Sequence, residues 1–275
     1  MRESLRVLSL GAGIQSTAIY LMMCDGDIPA ADVAIFSDVK SEPASVYEHL
    51  ERLKSIDGPE IVTVTAGSLE EDLLQQSGYT DIPGFFAVSG ESRGMGPRGC
   101  TRKYKIIPVE QEIRRRMDAI GKPLKPDQSV TQVMGLSFDE PRRVERVKAR
   151  NHGRRGWHVE FPLFDDMMTR ADCVRYLDSR WDHPVPRSAC VFCPYRSDPD
   201  WQKMKDEDGD DWRRAIEVDR AIRLAVDGRS EDSNALMYLH KSCVPLDEAE
   251  FKRAPSHIQP RFQFGEMDCE GMCGM

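Results

Sequence analysis

The residues most suited to chemistry are two cysteines in the segment "RSACVFCPY", where Cys190 and Cys193 form a C-x-x-C pair. Such a pair holds a metal or does redox chemistry only with further partners. The chain has 275 residues and 8 cysteines, which are too few and too unevenly spaced for a secreted disulfide scaffold. We therefore expect a cytoplasmic protein whose cysteines are free thiols, metal ligands or redox groups.

The remaining cysteines differ in their surroundings. Cys24 and Cys173 lie in helical patterns and are most simply core residues. The terminal stretch "FGEMDCEGMCGM" holds Cys269 and Cys273 among glycines, a composition that packs poorly. We expect residues 263–275 to form a flexible tail unless a cluster or a substrate holds them.

A glycine-rich turn follows the first apolar run of the chain, in "SLGAGIQSTAIY". Gly11 and Gly13 allow close approach of a backbone, and Ser16 and Thr17 place hydroxyls near the first turn of a helix. Unpaired N–H groups and the helix dipole suit such a turn to a phosphate. The turn matches neither the dinucleotide G-x-G-x-x-G nor the P-loop G-x-x-x-x-G-K-[ST], so a purely structural role stays open.

Two further turns carry residues that suit a nucleotide. In "FSDVKSEP", Asp38 ends an apolar run and Glu42 precedes Pro43, which suits the start of a helix. These acids either cap that helix or bind ribose, Mg²⁺ or an amine. In "GLSFDEPRR", Gly135 lets the backbone approach an adenine or a phosphate, and Arg143 can pair with an anion.

Five short apolar runs must position these turns, and we expect each to be a strand: "LRVLSL", "DVAIFSD", "EIVTVTA", "VTQVMGLS" and "WHVEFPL". Helical patterns separate them, which predicts an α/β fold with a parallel, doubly wound sheet of about five strands. In such a sheet, ligands bind beyond the carboxyl ends of the strands.

The segment from Asp198 to about Leu246 has apolar residues at three- and four-residue spacing, which predicts a helical C-terminal appendage. We therefore expect three parts. They are a nucleotide-binding domain with the cysteine pair at 1–196, the helical appendage at 197–262, and the tail at 263–275.

The charge distribution bears on the partners. A net charge of −8 argues against a protein that coats nucleic acid. The segment 91–160 nevertheless has more Lys and Arg than Asp and Glu, so it either attracts a phosphate-bearing substrate or forms a solvated, salt-bridged surface. No stretch approaches the roughly 18 apolar residues of a membrane span, and the N-terminus lacks a signal-peptide pattern, so we expect no membrane partner.

Six segments between residues 6 and 201 resemble, in order, the phosphoadenosine phosphosulfate (PAPS) reductase family, in the iron–sulfur-containing branch of the adenine nucleotide alpha-hydrolase, or PP-loop, superfamily. They are "GAGIQST", "FSDVKSEPASVYEHL", "RGCTRKYKIIPV", "GLSFDEPRR", "FPLFDDMMTRADCVRYL" and "RSACVFCPY". The chain departs from the family where Gly11 and Ala12 replace the Ser-Gly of the ATP-type loop. It also carries Gly99 where the reductases have the first of two adjacent cysteines.

The resemblance implies a Rossmann-type fold that binds an adenine nucleotide, either ATP or adenylyl sulfate or PAPS, with Mg²⁺ as an optional companion. The residues expected to bind this nucleotide are Ser9, Gly11, Gly13, Gln15, Ser16, Thr17, Asp38, Glu42, Gly135 and Arg143. The resemblance also implies that Arg102, Lys103 and Lys105 bind a substrate phosphate.

The resemblance further implies a four-iron four-sulfur cluster held by Cys100 together with the C-x-x-C pair. Cys100 would lie in a loop ahead of a helix that starts near Pro108. Three or four thiolates also suit zinc, and unliganded redox thiols are a third reading. The candidate fourth ligands are Cys243, Cys269 and Cys273.

PAPS reductases carry a catalytic cysteine in a C-terminal segment, so Cys273 or Cys269 is the expected nucleophile or sulfur carrier. The resemblance favours ATP-dependent sulfur insertion into a nucleotide or nucleic acid, in which ATP adenylates an oxygen and sulfur then displaces AMP. The alternative is a sulfonucleotide reductase that releases sulfite. A third reading is a non-catalytic nucleotide- and metal-binding module. A cysteine desulfurase would serve insertion as sulfur donor, and a thioredoxin-like reductant would serve reduction.

Overall fold

The computed structural model describes residues 3–75, 81–88, 91–227 and 235–252. Cys269, Cys273 and the rest of the predicted tail lie outside the described residues. The strands of the described part are β1 (Ser4–Leu10), β2 (Val33–Ser37), β3 (Ile61–Val64), β4 (Phe85–Val88), β5 (Glu91–Met95), β6 (Ser129–Met134), β7 (Trp157–Glu160) and β8 (Ala235–Tyr238).

The helices of the described part follow the expected alternation with the strands. They are α1 (Ile14–Asp25), α2 (Ala44–Lys54), α3 (Leu69–Gln75), α4 (Gly99–Thr101), α5 (Ile107–Arg116), α6 (Pro141–Asn151), α7 (Pro162–Asp165), α8 (Arg170–Arg180), α9 (Asp198–Glu207) and α10 (Gly209–Asp227). A π-helical turn, Arg102–Ile106, joins α4 to α5.

Five parallel strands form the main sheet in the order β3-β2-β1-β6-β7, with β1 at the centre. The register pairs Val7 of β1 with Val33 of β2 on one side and with Gln132 of β6 on the other. All five strands lie in the apolar runs that predicted them, because each run is bounded by turn residues and followed by a helical pattern. The predicted α/β class with a five-stranded parallel sheet is confirmed.

Alternate residues of each strand face opposite layers of helices. Leu8 and Leu10 of β1 pack with α1, α2 and α8 in one core cluster. Leu5 and Val7 pack with α5 in another, and Met134 of β6 packs with α6. Helices therefore cover both faces, which makes the sheet doubly wound.

A second sheet, which the sequence pattern did not predict, has three antiparallel strands in the order β5-β4-β8. Phe86 of β4 pairs with Met237 of β8. The expectation of helix up to about Leu246 is therefore wrong at residues 235–238, although α9 and α10 confirm helix over most of 198–227. A four-residue apolar run has no periodicity of its own, and its pairing partner lies far away in sequence.

The C-terminal helices share a core with the edge of the main sheet. Trp201 of α9 and Ile222 of α10 are fully buried, in one cluster with Val39 after β2, Leu69 of α3 and Phe192 of the C-x-x-C segment. Burial of large apolar side chains is the main stabilising contribution to such a contact. The appendage thus packs on the side of the molecule where the predicted site residues lie.

None of the helices in the described ranges combines the length and the apolar character that crossing a membrane requires.

Candidate nucleotide and thiol site

The main sheet has a switch point between β1 and β6. From β1 the chain builds outward through β2 and β3 on one side, and β6 and β7 extend the sheet on the other. At such a point the loops diverge and leave a crevice beyond the carboxyl ends of the strands, where ligands bind in doubly wound folds. The loops after β1 and β6 carry most of the predicted nucleotide-binding residues.

The loop after β1 leads straight into α1. Ala12 is fully buried and adopts a left-handed backbone conformation with φ of 58°. A non-glycine residue in this region is strained by roughly 1–3 kcal/mol, and such strain is concentrated at functional sites. Gly13 is the N-cap residue and has no side chain to accept a hydrogen bond, while the Ser16 hydroxyl accepts from the Gly13 N–H at 3.2 Å. The N-terminus of α1 thus has the character of an anion site.

The loops after β1 and β6 are in direct contact at Gly135. A Cβ atom at this position would lie 2.9 Å from the backbone nitrogen and 3.1 Å from the Cα of Ser16. Both neighbours are backbone atoms and cannot rotate away, so only glycine fits. Gly135 therefore sets the distance between the two halves of the crevice.

The Gln15 side chain joins both halves through hydrogen bonds. Its amide donates to the Ser137 hydroxyl at 3.2 Å and to Glu140 at 3.1 Å, and its carbonyl oxygen accepts from Arg170 of α8 at 2.7 Å. Gln15 is only 2 % exposed. This predicted nucleotide-binding residue therefore holds the loop in place. Arg143, which was expected to bind an anion, forms an ion pair with Glu140.

The hydroxyl of Thr17 points away from the loop. It lies 3.0 Å from the imidazole Nε2 of His49 on α2, and both residues are completely buried. Burial lowers the pKa of His49 to about 4, and the charge of Arg52 adds to the effect. In this arrangement Thr17 contributes to the packing of α1 against α2. Ser9 is also buried, and its hydroxyl accepts a 2.8 Å hydrogen bond from Gln132 of β6.

The loop after β2 gathers the predicted acids. Asp38 accepts from the Tyr47 hydroxyl at 2.9 Å and pairs with the Lys40 ammonium at 2.8 Å. Burial, together with the hydrogen bond to Asp38, raises the pKa of Tyr47. Glu42 is 1 % exposed and pairs through Oε1 with Lys105 at 3.0 Å, and its Oε2 is buried without a hydrogen-bond partner in the described part. A buried carboxylate oxygen of this kind suits a ligand hydroxyl or cation.

Helix α5 begins at Ile107, which confirms the expectation of a helix starting near Pro108, and the preceding segment with the predicted phosphate-binding side chains is itself helical from Gly99. Pro108 lacks the N–H that would bond to the Tyr104 carbonyl one turn earlier, and the Ser37 hydroxyl donates to that carbonyl instead, at 2.7 Å. The helix widens into the π-turn here. Lys105, within this π-turn, lines a small cavity together with Gly11 and Ser37.

The other two predicted phosphate ligands are placed differently. Lys103 is paired with Asp72 at 3.2 Å and Asp81 at 3.1 Å, and Arg102 is exposed. Hydrogen bonds to Tyr104 and the two acids raise the pKa of Lys103. The turn from Gly11 to Ser16 is called the phosphate loop below. Of the three basic residues, Lys105 is the one that lines a cavity with a residue of this loop, Gly11.

The cysteines expected to bind a cluster come from two neighbouring segments. Cys100 and Cys190, both partly exposed, pack against the same core cluster as Trp201. Cys193 is buried, and its N–H donates to the Cys190 carbonyl at 3.1 Å in a tight turn. The guanidinium of Arg98 stacks 3.9 Å from the Tyr195 ring centroid and joins the two segments.

A partly buried cation braces the C-x-x-C turn. The Arg196 guanidinium donates to the carbonyl oxygens of Ala189, Cys190 and Val191 at 3.0–3.3 Å. Burial lowers the pKa of Arg196. These three hydrogen bonds hold the C-x-x-C segment in its turn.

Two hydrogen bonds attach the C-x-x-C segment to the crevice. The Ser188 hydroxyl donates to the Gly11 carbonyl, and the Val191 N–H donates to the Ser41 carbonyl at 2.8 Å. The C-x-x-C segment is thus fixed both to the phosphate loop after β1 and to the loop after β2, which carries Asp38 and Glu42. Sequence reasoning did not single out Ser188, His49 and Arg170 within the motifs that contain them, because their hydrogen-bond partners lie far away in the sequence.

The fourth predicted ligand within the described part is Cys243, which packs with Ala87 and Tyr238 in a separate cluster. The described residues contain no group of three or more Cys, His, Asp or Glu side chains placed to hold a metal ion. The thiols described here therefore do not form a ready-made metal centre. The iron–sulfur cluster stays a proposal that rests on the resemblance.

Comparison with known proteins finds no matching family model, no matching curated protein and no matching solved structure.

Replacing Gly135 with Ala should force the β6 loop away from Ser16. We expect a loss of about 1–3 kcal/mol in the free energy of unfolding from overpacking and at least about tenfold weaker nucleotide binding, measured by urea denaturation and calorimetry. Gly209→Ala is the matched control, because a Cβ there meets no atom within 4 Å. Equal behaviour of the two variants would contradict the role assigned to Gly135.

The buried His49 should make stability depend on pH. Its folded-state pKa of about 4 lies below the ordinary histidine pKa of 6.5, so protonation favours the unfolded chain. Stability is complete above about pH 6.5 and falls by up to about 3 kcal/mol as pH drops towards 4. Urea denaturation across this range should show a shallower slope for His49→Gln. The exposed His152→Gln variant should keep the wild-type slope, and a wild-type slope in both variants would refute the assignment.

If the thiols hold a cluster, anaerobically purified protein should contain about four irons and four acid-labile sulfides per chain. Cys100→Ser, Cys190→Ser and Cys193→Ser should each lose them, as measured by metal analysis and visible absorption. Cys173→Ser, in the core beside α1, should retain them. Stoichiometric zinc, or protein that contains no metal, would show that these thiols do not hold an iron–sulfur cluster.

Proposed function

We propose that this chain is an enzyme of the PAPS reductase type that binds an adenine nucleotide at the switch point of its sheet and performs sulfur chemistry there. The observation that carries the proposal is the contact between Gly135 and the first turn of α1, with Ala12 held in a left-handed conformation. A phosphate at this turn would meet the N-terminus of α1, where Gly13 has no polar N-cap side chain to compete with it.

The nucleotide phosphates would lie on the loop from Gly11 to Ser16. Lys105 lines a small cavity with Gly11, and its ammonium would neutralise part of their charge. Lys105 is held there by Glu42, and the second oxygen of Glu42 is left to accept from a ligand hydroxyl or to contact a cation. Each of these groups is buried, so their interactions with a phosphate would be strengthened by the low local dielectric.

The favoured reaction is ATP-dependent sulfur insertion. A substrate oxygen would attack the α-phosphorus of ATP, the bond to the β-phosphate would break, and pyrophosphate would leave. The adenylated substrate then carries AMP as its leaving group. The terminal sulfur of a cysteine persulfide, supplied by a cysteine desulfurase, would displace AMP and form the new bond to sulfur.

If Cys190 and Cys193 are redox thiols and do not hold a cluster, the C-x-x-C pair suits the last part of this reaction. A second thiolate would attack the sulfur–sulfur bond, release the thiolated product and leave a disulfide, which a thioredoxin-like reductant would return to two thiols. Cys190 and Cys193 lie in one tight turn, which the Arg196 guanidinium braces by donating to the Cys190 carbonyl. Cys269 or Cys273, outside the described residues, would carry the persulfide.

Sulfonucleotide reduction is the second candidate, favoured by the attachment of the C-x-x-C segment to the phosphate loop through Ser188 and Gly11. Here a cysteine thiolate would attack the sulfur of adenylyl sulfate or PAPS. The sulfur–oxygen bond to the nucleotide would break, leaving the nucleotide monophosphate or bisphosphate and an enzyme thiosulfonate. A thioredoxin-like dithiol would then release sulfite and become a disulfide.

The nucleotide products distinguish these reactions. Insertion predicts that ATP is converted to AMP and pyrophosphate in the presence of acceptor and sulfur donor, with no sulfite. Reduction predicts sulfite release from adenylyl sulfate or PAPS without ATP. Lys105→Ala should weaken nucleotide binding about tenfold or more, because it removes a buried charge contact, whereas the exposed Lys203→Ala should not. Calorimetric binding with neither reaction would support a non-catalytic module, and no nucleotide binding would overturn the proposal.

A further inference from the structure

Helix α6 presents an exposed row of cations beside the crevice. It has five basic residues, Arg142, Arg143, Arg146, Lys148 and Arg150, against the single acid Glu145. Arg143 is paired with Glu140 and Arg150 with Glu110. Arg142 and Arg146 are exposed, lie one turn apart on the same face, and pair with no carboxylate in the part of the chain that the structure describes.

Two aromatic rings adjoin this row. The Phe138 and Phe164 ring centroids are 5.5 Å apart with the planes tilted by 41°, and Phe138 is 44 % exposed. The Lys148 ammonium lies 5.8 Å from the Phe164 ring centroid. Met167 is 69 % exposed, and the Phe138 N–H donates to the Met168 carbonyl at 2.8 Å, which joins the two loops. Contiguous exposed apolar groups of this kind mark interaction sites.

The aromatic pair adjoins the candidate nucleotide site. Phe138 lies in the loop after β6, between Ser137 and Glu140. The side chains of Ser137 and Glu140 both accept hydrogen bonds from Gln15 of the phosphate loop. A molecule that covers Phe138 would therefore end beside the carboxyl edge of β1 and β6.

We propose that these five residues, Phe138, Phe164, Arg142, Arg146 and Lys148, form the α6 surface and bind a single-stranded nucleic acid. Bases stack on exposed aromatic faces, while guanidinium and ammonium groups contact the phosphates. A duplex keeps its bases stacked inside and cannot use the aromatic pair. The inference rests on the proposed function, for which it names the class of acceptor.

Two carboxylates set the direction of such a strand. Asp165 and Asp166 are exposed and follow Phe164 directly in the chain. Because they repel phosphate, the backbone of a bound strand runs on the side of α6, over Arg142 and Arg146, and the bases turn towards the rings.

The test uses the full chain without nucleotide and a fluorescein-labelled single strand of about 15 nucleotides, as RNA and as DNA, with anisotropy measured across a salt series. Phe138→Ala should weaken binding about tenfold or more, without changing the slope of log affinity against log salt concentration. Phe138→Leu should weaken binding nearly as much, because leucine keeps the apolar area but cannot stack on a base. The Arg142→Gln, Arg146→Gln double variant should lower the slope by about 1.4, at about 0.7 per phosphate contact.

The matched control is the double variant Arg52→Gln, Lys54→Gln, which removes the same charge from α2 on the other face of the sheet. Equal loss of affinity in this control, or tighter binding of the matching duplex, would overturn the proposal. Self-association that sedimentation detects in the wild type and that Phe138→Ala abolishes would assign the surface to a second copy of the chain instead. Calorimetric titration of ATP into the same variants separates failure of this surface from failure of nucleotide binding.

Discussion

The contact between Gly135 and the backbone of Ser16 is the constraint on which the candidate site depends. Parallel strands β1 and β6 are neighbours, but their following loops lead to helices on opposite faces of the sheet. The two loops can meet only where one residue has no side chain. Once they meet, Gln15 can reach Ser137 and Glu140, and the N-terminus of α1 is fixed at the carboxyl edge of the sheet, between β1 and β6.

The C-terminal part of the chain completes this crevice. Trp201 and Ile222 share a buried cluster with Val39 and Leu69, so packing energy holds the cysteine segment against the sheet edge. Ser188 then fixes that segment to the phosphate loop. Hydrophobic packing thereby brings the thiol pair and Arg196 close to the loop after β1, although the Trp201 indole N–H is buried without a hydrogen-bond partner in the described part of the chain.

The sequence predicted the main sheet well because its strands are local patterns. Each apolar run is bounded by turn residues, and five such runs between helices leave few topologies. The predictions were less complete where structure depends on distant partners. Strand β8 forms because it pairs with β4, which is far away in the sequence. The π-turn accompanies the missing N–H of Pro108, in whose place the Ser37 hydroxyl donates to the Tyr104 carbonyl. The Thr17 hydroxyl is directed by its hydrogen bond with His49. The roles expected for the cysteines rest on the resemblance, since the described thiols form no group of three.

Hydrogen–deuterium exchange with and without ATP tests the central claim most directly, because it reports on backbone N–H groups themselves. The account predicts slower exchange on ATP addition at residues 11–17 and 135–140 together, with a smaller change at residues 188–193, which are tethered to the same loop. The helix α2 segment around His49, buried against Thr17, should not change. Protection confined to other segments, at saturating ATP, would contradict a nucleotide site at the switch point.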